Sequence, residues 1–316
     1  MPIAEGGASV GFDYTLSGVD WPGLCQTGQR QSPINIVSGS ETWLDVPESL
    51  RPNLDFGTGT AVKVINFGRY FQVLWTPLRP PNASVTLGAL FGQPNFTGPG
   101  VLGPNGTVIP GNGEDRVPLI PQQWHLHTPS EHAIDGKLAV IEAHLVTLVP
   151  NTSVPACGSA GCTQVFGVLY DIVEDTELPD TFLSPFLYDL PESIGTQYGD
   201  NFTSDFVLDF AEFFPNDTSD YVTYSGSLTT PPCTENVLWT VLLSNPTVSI
   251  SQVETLANGQ AVTQRPLECY PVPDSDLNLE QLQKPSGTFQ ICSAQGQRES
   301  DRFPQALHGR MVTRYA

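Results

Sequence analysis

The sequence predicts a mainly β protein, antiparallel strands with small peripheral helices. Three observations predict it. Glycine and proline number 29 each in 316 residues while charged residues make up only 15%, a balance that suits strands and turns better than long helices. Apolar strand-like runs recur along the chain. Helical signals are few and short, and no internal repeat is visible, so one domain spanning 1–316 is expected.

The first run covers 61–75. After it, about 76–121 is dense in Gly, Pro and Asn and reads as a loop-like insertion. Strand-like runs follow at 123–128, 138–149, 164–173 and 237–243, and 251–257 is the best helical signal. About 264–300 is polar and Gln-rich and reads as a second insertion. Glycosylated surface loops suit both compositions better than a cavity rim or an oligomer contact.

The net charge of −20 disfavours nucleic acid and anionic membranes as partners, and no run of Lys or Arg reverses it. No apolar run is long enough to span a bilayer. Asn-x-Ser/Thr sequons stand at Asn82, Asn95, Asn105, Asn151, Asn201 and Asn216, whereas Asn245 is followed by Pro and does not count. Six sequons and an even six cysteines fit a secreted, extracellular glycoprotein with three disulfides. The first residues lack a basic-then-apolar leader, so a signal peptide is expected to have been removed. Six cysteines allow fifteen connectivities. Proximity suggests Cys157–Cys162, and Cys269–Cys292 would close the second insertion. A zinc site at Cys157 lacks a second ligand pair nearby.

Four of the five histidines, His125, His127, His132 and His144, fall within twenty residues. Neutral imidazole is the commonest metal ligand, and Zn²⁺ on three His plus water is a catalytic arrangement. Side chains at i and i+2 share a face of a strand. His125 and His127 therefore project together beside Gln123, and His144 projects with Glu142 and Val146. Two neighbouring strands can bring three imidazoles to one point, with Gln123 and Glu142 placed to hold their outer nitrogens. A His-x-His pair is more often structural than a ligand pair, and His132 reads as a buried hydrogen-bonded histidine. Glu142 is harder to dismiss, because a charge on an apolar strand is costly to bury unpaired.

Around these residues the sequence resembles the α-class carbonic anhydrases. The resemblance is carried by Gln31-Ser32-Pro33-Ile34-Asn35-Ile36, Gln123-Trp124-His125-Leu126-His127, Ser130-Glu131-His132 and Glu142-Ala143-His144-Leu145-Val146. Tyr224-Ser225-Gly226-Ser227-Leu228-Thr229-Thr230-Pro231-Pro232, Trp239 and the R-x-x-Q-x-L-x-x-R stretch from Arg302 to Arg310 complete it. It implies a large, mostly antiparallel, twisted central sheet. It implies a zinc lyase, one Zn²⁺ per chain on His125, His127 and His144, that hydrates CO₂ reversibly to bicarbonate and a proton through zinc-bound hydroxide and is blocked by sulfonamides or anions. It assigns Thr229 and Glu131 to orienting that hydroxide, and Gln123, Glu142, His132 and Tyr224 to supporting the ligands. Val146, Val165, Leu228 and Trp239 become the apolar wall for CO₂, and Thr230 and Tyr14 polar cavity residues. Cys25–Cys233 matches a disulfide of secreted members. Arg69 stands where fast members carry a shuttle histidine. A homodimer is compatible with the pattern.

Two readings compete. His125-x-His127-x3-Glu131 imitates a cupin metal motif, which would make a secreted oxidase with Glu131 as a ligand and Mn or Fe as metal. No second cupin motif is present. The other is a catalytically silent binding module on the same fold.

Overall fold

In a computed structural model of the chain, the described residues are 18–66, 70–103, 106–173, 182–189, 201–203, 205–259, 267–271, 290–294, 302 and 304–315. Tyr14, Arg69 and Asn105 lie outside them, as do the side chains of Asn201, Cys269 and Cys292.

A large mixed sheet dominates. Its principal strands are β1 (Thr42–Leu44), β2 (Thr58–Asn66), β3 (Phe71–Pro77), β4 (Ile120–His127), β5 (Ile141–Val149), β6 (Cys162–Val173), β7 (Asn201–Phe202), β8 (Tyr221–Ser227), β9 (Glu235–Leu242) and β10 (Thr313–Tyr315). They lie in the order β7-β2-β3-β4-β5-β6-β9-β8-β10-β1. Along this path the neighbours are antiparallel except at β6–β9 and β10–β1. The expected mostly antiparallel sheet is therefore present, with two parallel joins. The run read as 61–75 is two strands, β2 and β3, paired antiparallel. Among the described residues the helices are short, and the longest, Ile250–Gly259, contains the 251–257 signal.

Alternation along the central strands sends opposite chemistry to the two faces. Trp124 and Leu126 of β4, Ile141, Ala143 and Leu145 of β5, and Phe166, Val168 and Tyr170 of β6 join one large apolar core. Phe56, Phe182, Phe186, Phe210, Phe213 and Phe214 pack beneath it, several edge to face, as with Phe182 and Phe213 at 5.1 Å. Each such ring buries about 2–3 kcal/mol of apolar surface. Intervening residues, His125, His127, Glu142, His144, Val146, Val165 and Trp239, point to the other face, where Ile34, Ile36, Val222 and Tyr224 extend a smaller cluster around Val146, Val165 and Trp239.

The first expected insertion is not loop-like throughout. Ser84–Thr86 pairs with Arg116–Pro118, Pro99–Leu102 pairs with Val108–Asn112, and Leu87–Leu90 is helical. Val85, Leu87, Leu90, Val101, Ile109 and Val117 enter the main core. These apolar residues are spaced one or two at a time among turn formers, so the composition masked them. In the second expected insertion, Leu267–Pro271 and Gln290–Ala294 pair antiparallel and set Cys269 opposite Cys292.

Disulfides join Cys25 to Cys233 and Cys157 to Cys162.

Candidate metal centre

β4 and β5 pair antiparallel with His144 opposite His125 and Glu142 opposite His127. This register brings the three imidazoles of His125, His127 and His144 together, with ring centroids 4.7–5.0 Å apart. One ligand-capable nitrogen from each lies within 4.8 Å of the others. All three rings are buried, and His125 keeps most of what little exposure there is.

The outer partners fix which nitrogen faces inward. The Glu142 carboxylate accepts from His144 Nε2 at 2.8 Å, and Gln123 Oε1 accepts from His125 Nδ1 at 2.8 Å. Burial lowers the pKa of both imidazoles, and for His125 the neighbouring His127 and His144 lower it further. Both rings are therefore neutral, each with its one proton on the outer nitrogen. Their inner nitrogens, His144 Nδ1 and His125 Nε2, stand 3.1 Å apart, lone pair to lone pair. That approach is repulsive unless a cation lies between them, so the residues fit a metal ion held by three neutral imidazoles.

Glu142 anchors this arrangement. Burial penalises its charge, but His132 and His144 more than offset the penalty, and its pKa falls well below the ordinary carboxylate value. It accepts from the backbone N–H groups of Glu131 and His132 at 2.9 and 2.8 Å and from His132 Nδ1 at 2.7 Å. His132 Nε2 lies 2.6 Å from the Tyr224 hydroxyl, which donates to Ser32 Oγ at 2.9 Å. Gly167, opposite His144 on β6, leaves room for the carboxylate: a Cβ there would sit 2.9 Å from Glu142 Oε1.

Glu131 is fully buried, with Oε2 3.4 Å from His127 Nε2. Burial raises its pKa to about 8; hydrogen bonding by the Thr229 side chain and the charge of Arg302 act in the opposite direction. The turn that carries Thr229 is closed by Leu228 N–H to Thr234 O and Cys233 N–H to Thr230 O. Thr230 is half-buried on this turn. Val146, Val165 and Trp239 form one apolar cluster with Leu228 packed against it, and the Trp239 ring lies 4.8 Å from that of His144. The structure thus sets Gln123, Glu131, His132, Glu142, Tyr224, Thr229, Val146, Val165, Leu228 and Trp239 around the three imidazoles.

Several contributors escaped sequence reasoning. Tyr70 is buried with its ring 5.2 Å from His125 and 5.4 Å from His127. Gln72 stands opposite His125 in the β3–β4 register, which its i, i+2 spacing from Tyr70 could have shown. Arg302 donates to Cys25 O, Gln31 Oε1 and Ser32 O, and Arg310 to Gln31 O and Ser225 O, so the C-terminal motif straps the N-terminal one to β8.

Three convergent neutral imidazoles on one face of a twisted β-sheet, oriented by an amide and a carboxylate and bordered by an apolar wall, could hold one metal ion and make a candidate mononuclear metal centre. Comparison with known proteins gives that class its family. Residues 119–270 match the eukaryotic-type carbonic anhydrase family. A carbonic anhydrase from Nostoc sp. is 32% identical over 246 residues, 78% of this chain and 74% of that protein. Human carbonic anhydrase 6 is 36% identical over 154 residues, 46% of this chain and 48% of that one. Among solved structures, carbonic anhydrase Cah3 from Chlamydomonas reinhardtii in complex with acetazolamide superposes with a TM-score of 0.57 at 23% identity, covering 97% of this chain and 99% of that one, a likeness of fold. The chain belongs to the α-class carbonic anhydrase family and is a lyase by that membership.

Proposed function

We propose that the protein hydrates CO₂ reversibly to bicarbonate and a proton, using one Zn²⁺ held by His125, His127 and His144. The observation that carries this reading is the 3.1 Å approach of two inward lone pairs whose tautomers are set by Gln123 and Glu142. Bound there, Zn²⁺ would lower the pKa of a water to about 7 and supply positive charge that favours ionised Glu131.

The chain's own residues do the rest. Ionised Glu131 accepts a hydrogen bond from the Thr229 hydroxyl, so Thr229 can only accept from the attacking oxygen, and that fixes where the oxygen's lone pair points. Val146, Val165, Leu228 and Trp239 offer CO₂ a dry wall, which suits a small apolar substrate better than a charged clamp. His132 and Tyr224 hold Glu142, and through it His144. Arg69 cannot relay protons near neutral pH, so proton release limits turnover and imidazole buffer speeds it. Thr230 and Tyr14 are assigned to organising cavity water. The cupin reading requires a fold and a second motif that this family lacks, and all three imidazoles of the active members' pattern are in place.

Secretion, the sequons and the Cys269–Cys292 bridge belong to the same proposal, as does inhibition by sulfonamides. The test is stopped-flow CO₂ hydration on protein of measured metal content. Turnover at one zinc per chain, abolished by a sulfonamide, is expected. A fully zinc-loaded protein without turnover would refute the proposal.

A further inference from the structure

Tyr70 leads into β3, whose register with β4 sets Phe71 opposite Leu126 and Gln72 opposite His125. Phe71 and Leu126 enter the apolar core. Alternation therefore turns Tyr70 and Gln72 to the face that carries the imidazoles. Tyr70 is only 5% exposed. Its ring lies 5.2 Å from that of His125, inclined by 49°, and 5.4 Å from that of His127, inclined by 34°. Across the cluster, the ring of Trp239 on β9 stands 4.8 Å from that of His144. In the sheet, β4 and β5, which supply the three imidazoles, lie between β3 and β9. An aromatic ring thus flanks the cluster from either side.

Such a cluster needs holding. The inner nitrogens of His125 and His144 are 3.1 Å apart, and without a cation their lone pairs push the rings away from each other. Gln123 and Glu142 each grip one of these rings through its outer nitrogen. One hydrogen bond fixes a point on the ring and leaves its plane free to turn. The last torsion of a histidine has broad wells, so the packing on the ring faces decides its angle. Trp239 supplies that packing for His144, and Tyr70 supplies it for both imidazoles of β4 at once. Aromatic pairs of this kind favour particular inclinations as well as closeness.

We infer that Tyr70 is a positioning residue: its ring braces His125 and His127 in their converging orientation, so the centre is assembled before a metal arrives and holds it more tightly. The inference rests on reading His125, His127 and His144 as the metal ligands. It assigns the effect to the flat ring and not to the hydroxyl, because a brace needs a face and not a donor.

The experiment measures zinc affinity of the full chain by competition with a chelator, and the visible spectrum of the cobalt-substituted protein. Tyr70→Ala is expected to weaken zinc binding about 10–100-fold, the scale of disturbing a ligand's outer partner, and to shift the cobalt bands. Tyr70→Phe should match wild type in both readouts. Phe71→Leu alters the next residue on the core face; it should lower Tm and leave zinc affinity unchanged. If Tyr70→Ala does not fold, Tyr70→Leu, which keeps apolar bulk without a flat face, carries the same expectation. Wild-type affinity and spectrum in the Ala or Leu variant would overturn the inference. A Phe variant as weak as the Ala variant would overturn it too, since the hydroxyl would then hold the rings. An equal loss in Phe71→Leu would reduce the effect to general loosening and also overturn it. Wild type that takes up no zinc would sink the metal-centre reading itself, and the brace with it.

Discussion

One glycine, Gly167, and one hydroxyl, that of Thr229, test the centre most directly at the scale of single residues. Gly167 touches no candidate metal ligand by sequence logic, yet a methyl group there would meet the buried Glu142 carboxylate at 2.9 Å. That carboxylate accepts from His132, His144 and two backbone amides, so displacing it disturbs the partner that orients His144. Gly167→Ala is expected to weaken zinc affinity about 10–100-fold, the usual cost of disturbing a ligand's outer partner. Competition with a chelator measures this, and unchanged affinity would show that Glu142 is not needed to orient the ring. Thr229→Ala acts differently. It should leave one zinc per chain and lower kcat/KM for CO₂ about 100-fold or more, the scale of losing a positioned hydrogen-bonding group. Metal analysis and stopped flow on the same sample separate the two effects. The candidate ligands and Glu142 were legible because strand spacing and the cost of an isolated charge betray them. Gly167 was not, since a glycine's purpose is set by what crosses its strand, and pairing partners are not written locally.

At the scale of elements, the turn after β8 is held from two sides. The Cys25–Cys233 bridge closes a 208-residue separation, and Glu235 at the start of β9 accepts from Arg30 N–H at 2.6 Å and Gln31 Nε2 at 3.1 Å. Burial works against the Glu235 charge, but these donors, with Gln29 N–H, win and lower its pKa. A depressed folded-state pKa contributes stability that is present above the unfolded value, about 4.5, and is lost as pH falls through the folded value. Glu235→Gln should therefore cost about 2 °C of Tm at pH 7 and nothing once the wild-type carboxylate is protonated, so the two melting curves converge in acid. Curves that stay parallel down to pH 3 would assign the loss to packing. The same scale shows where reading failed. Strands with dense apolar runs were placed within a few residues, but 61–75 hides two paired strands and 76–121 hides two nested strand pairs. In both cases burial comes from the sheet or core as a whole, as with Leu87, Leu90, Val101 and Ile109 in one cluster, and not from any local period.

The whole molecule carries 33 acidic and 13 basic side chains. Some charges are matched: Arg314 binds Asp220 through two hydrogen bonds of 2.8 and 2.7 Å and covers the Trp43 ring at 4.5 Å. The excess of 20 negative charges has no side-chain cation to meet it. Compaction brings these carboxylates closer than they lie in the unfolded chain, so the folded state bears more self-repulsion. Salt shortens the range of that repulsion to about 8 Å at 0.15 M, from about 30 Å at 0.01 M, while exposed pairs contribute only about 0–1 kcal/mol each and lose little. Tm at pH 7 is therefore expected to rise by several degrees between 0.01 and 0.3 M NaCl. The same titration in sodium sulfate would rise further through exclusion from apolar surface, so chloride is the informative salt. The zinc-loaded protein should show the smaller rise if the dication offsets nearby Glu131 and Glu142, and the same rise if the repulsion is spread over the surface. A Tm that falls with chloride would mean that a few close ion pairs, and not the net charge, govern the stability of this fold.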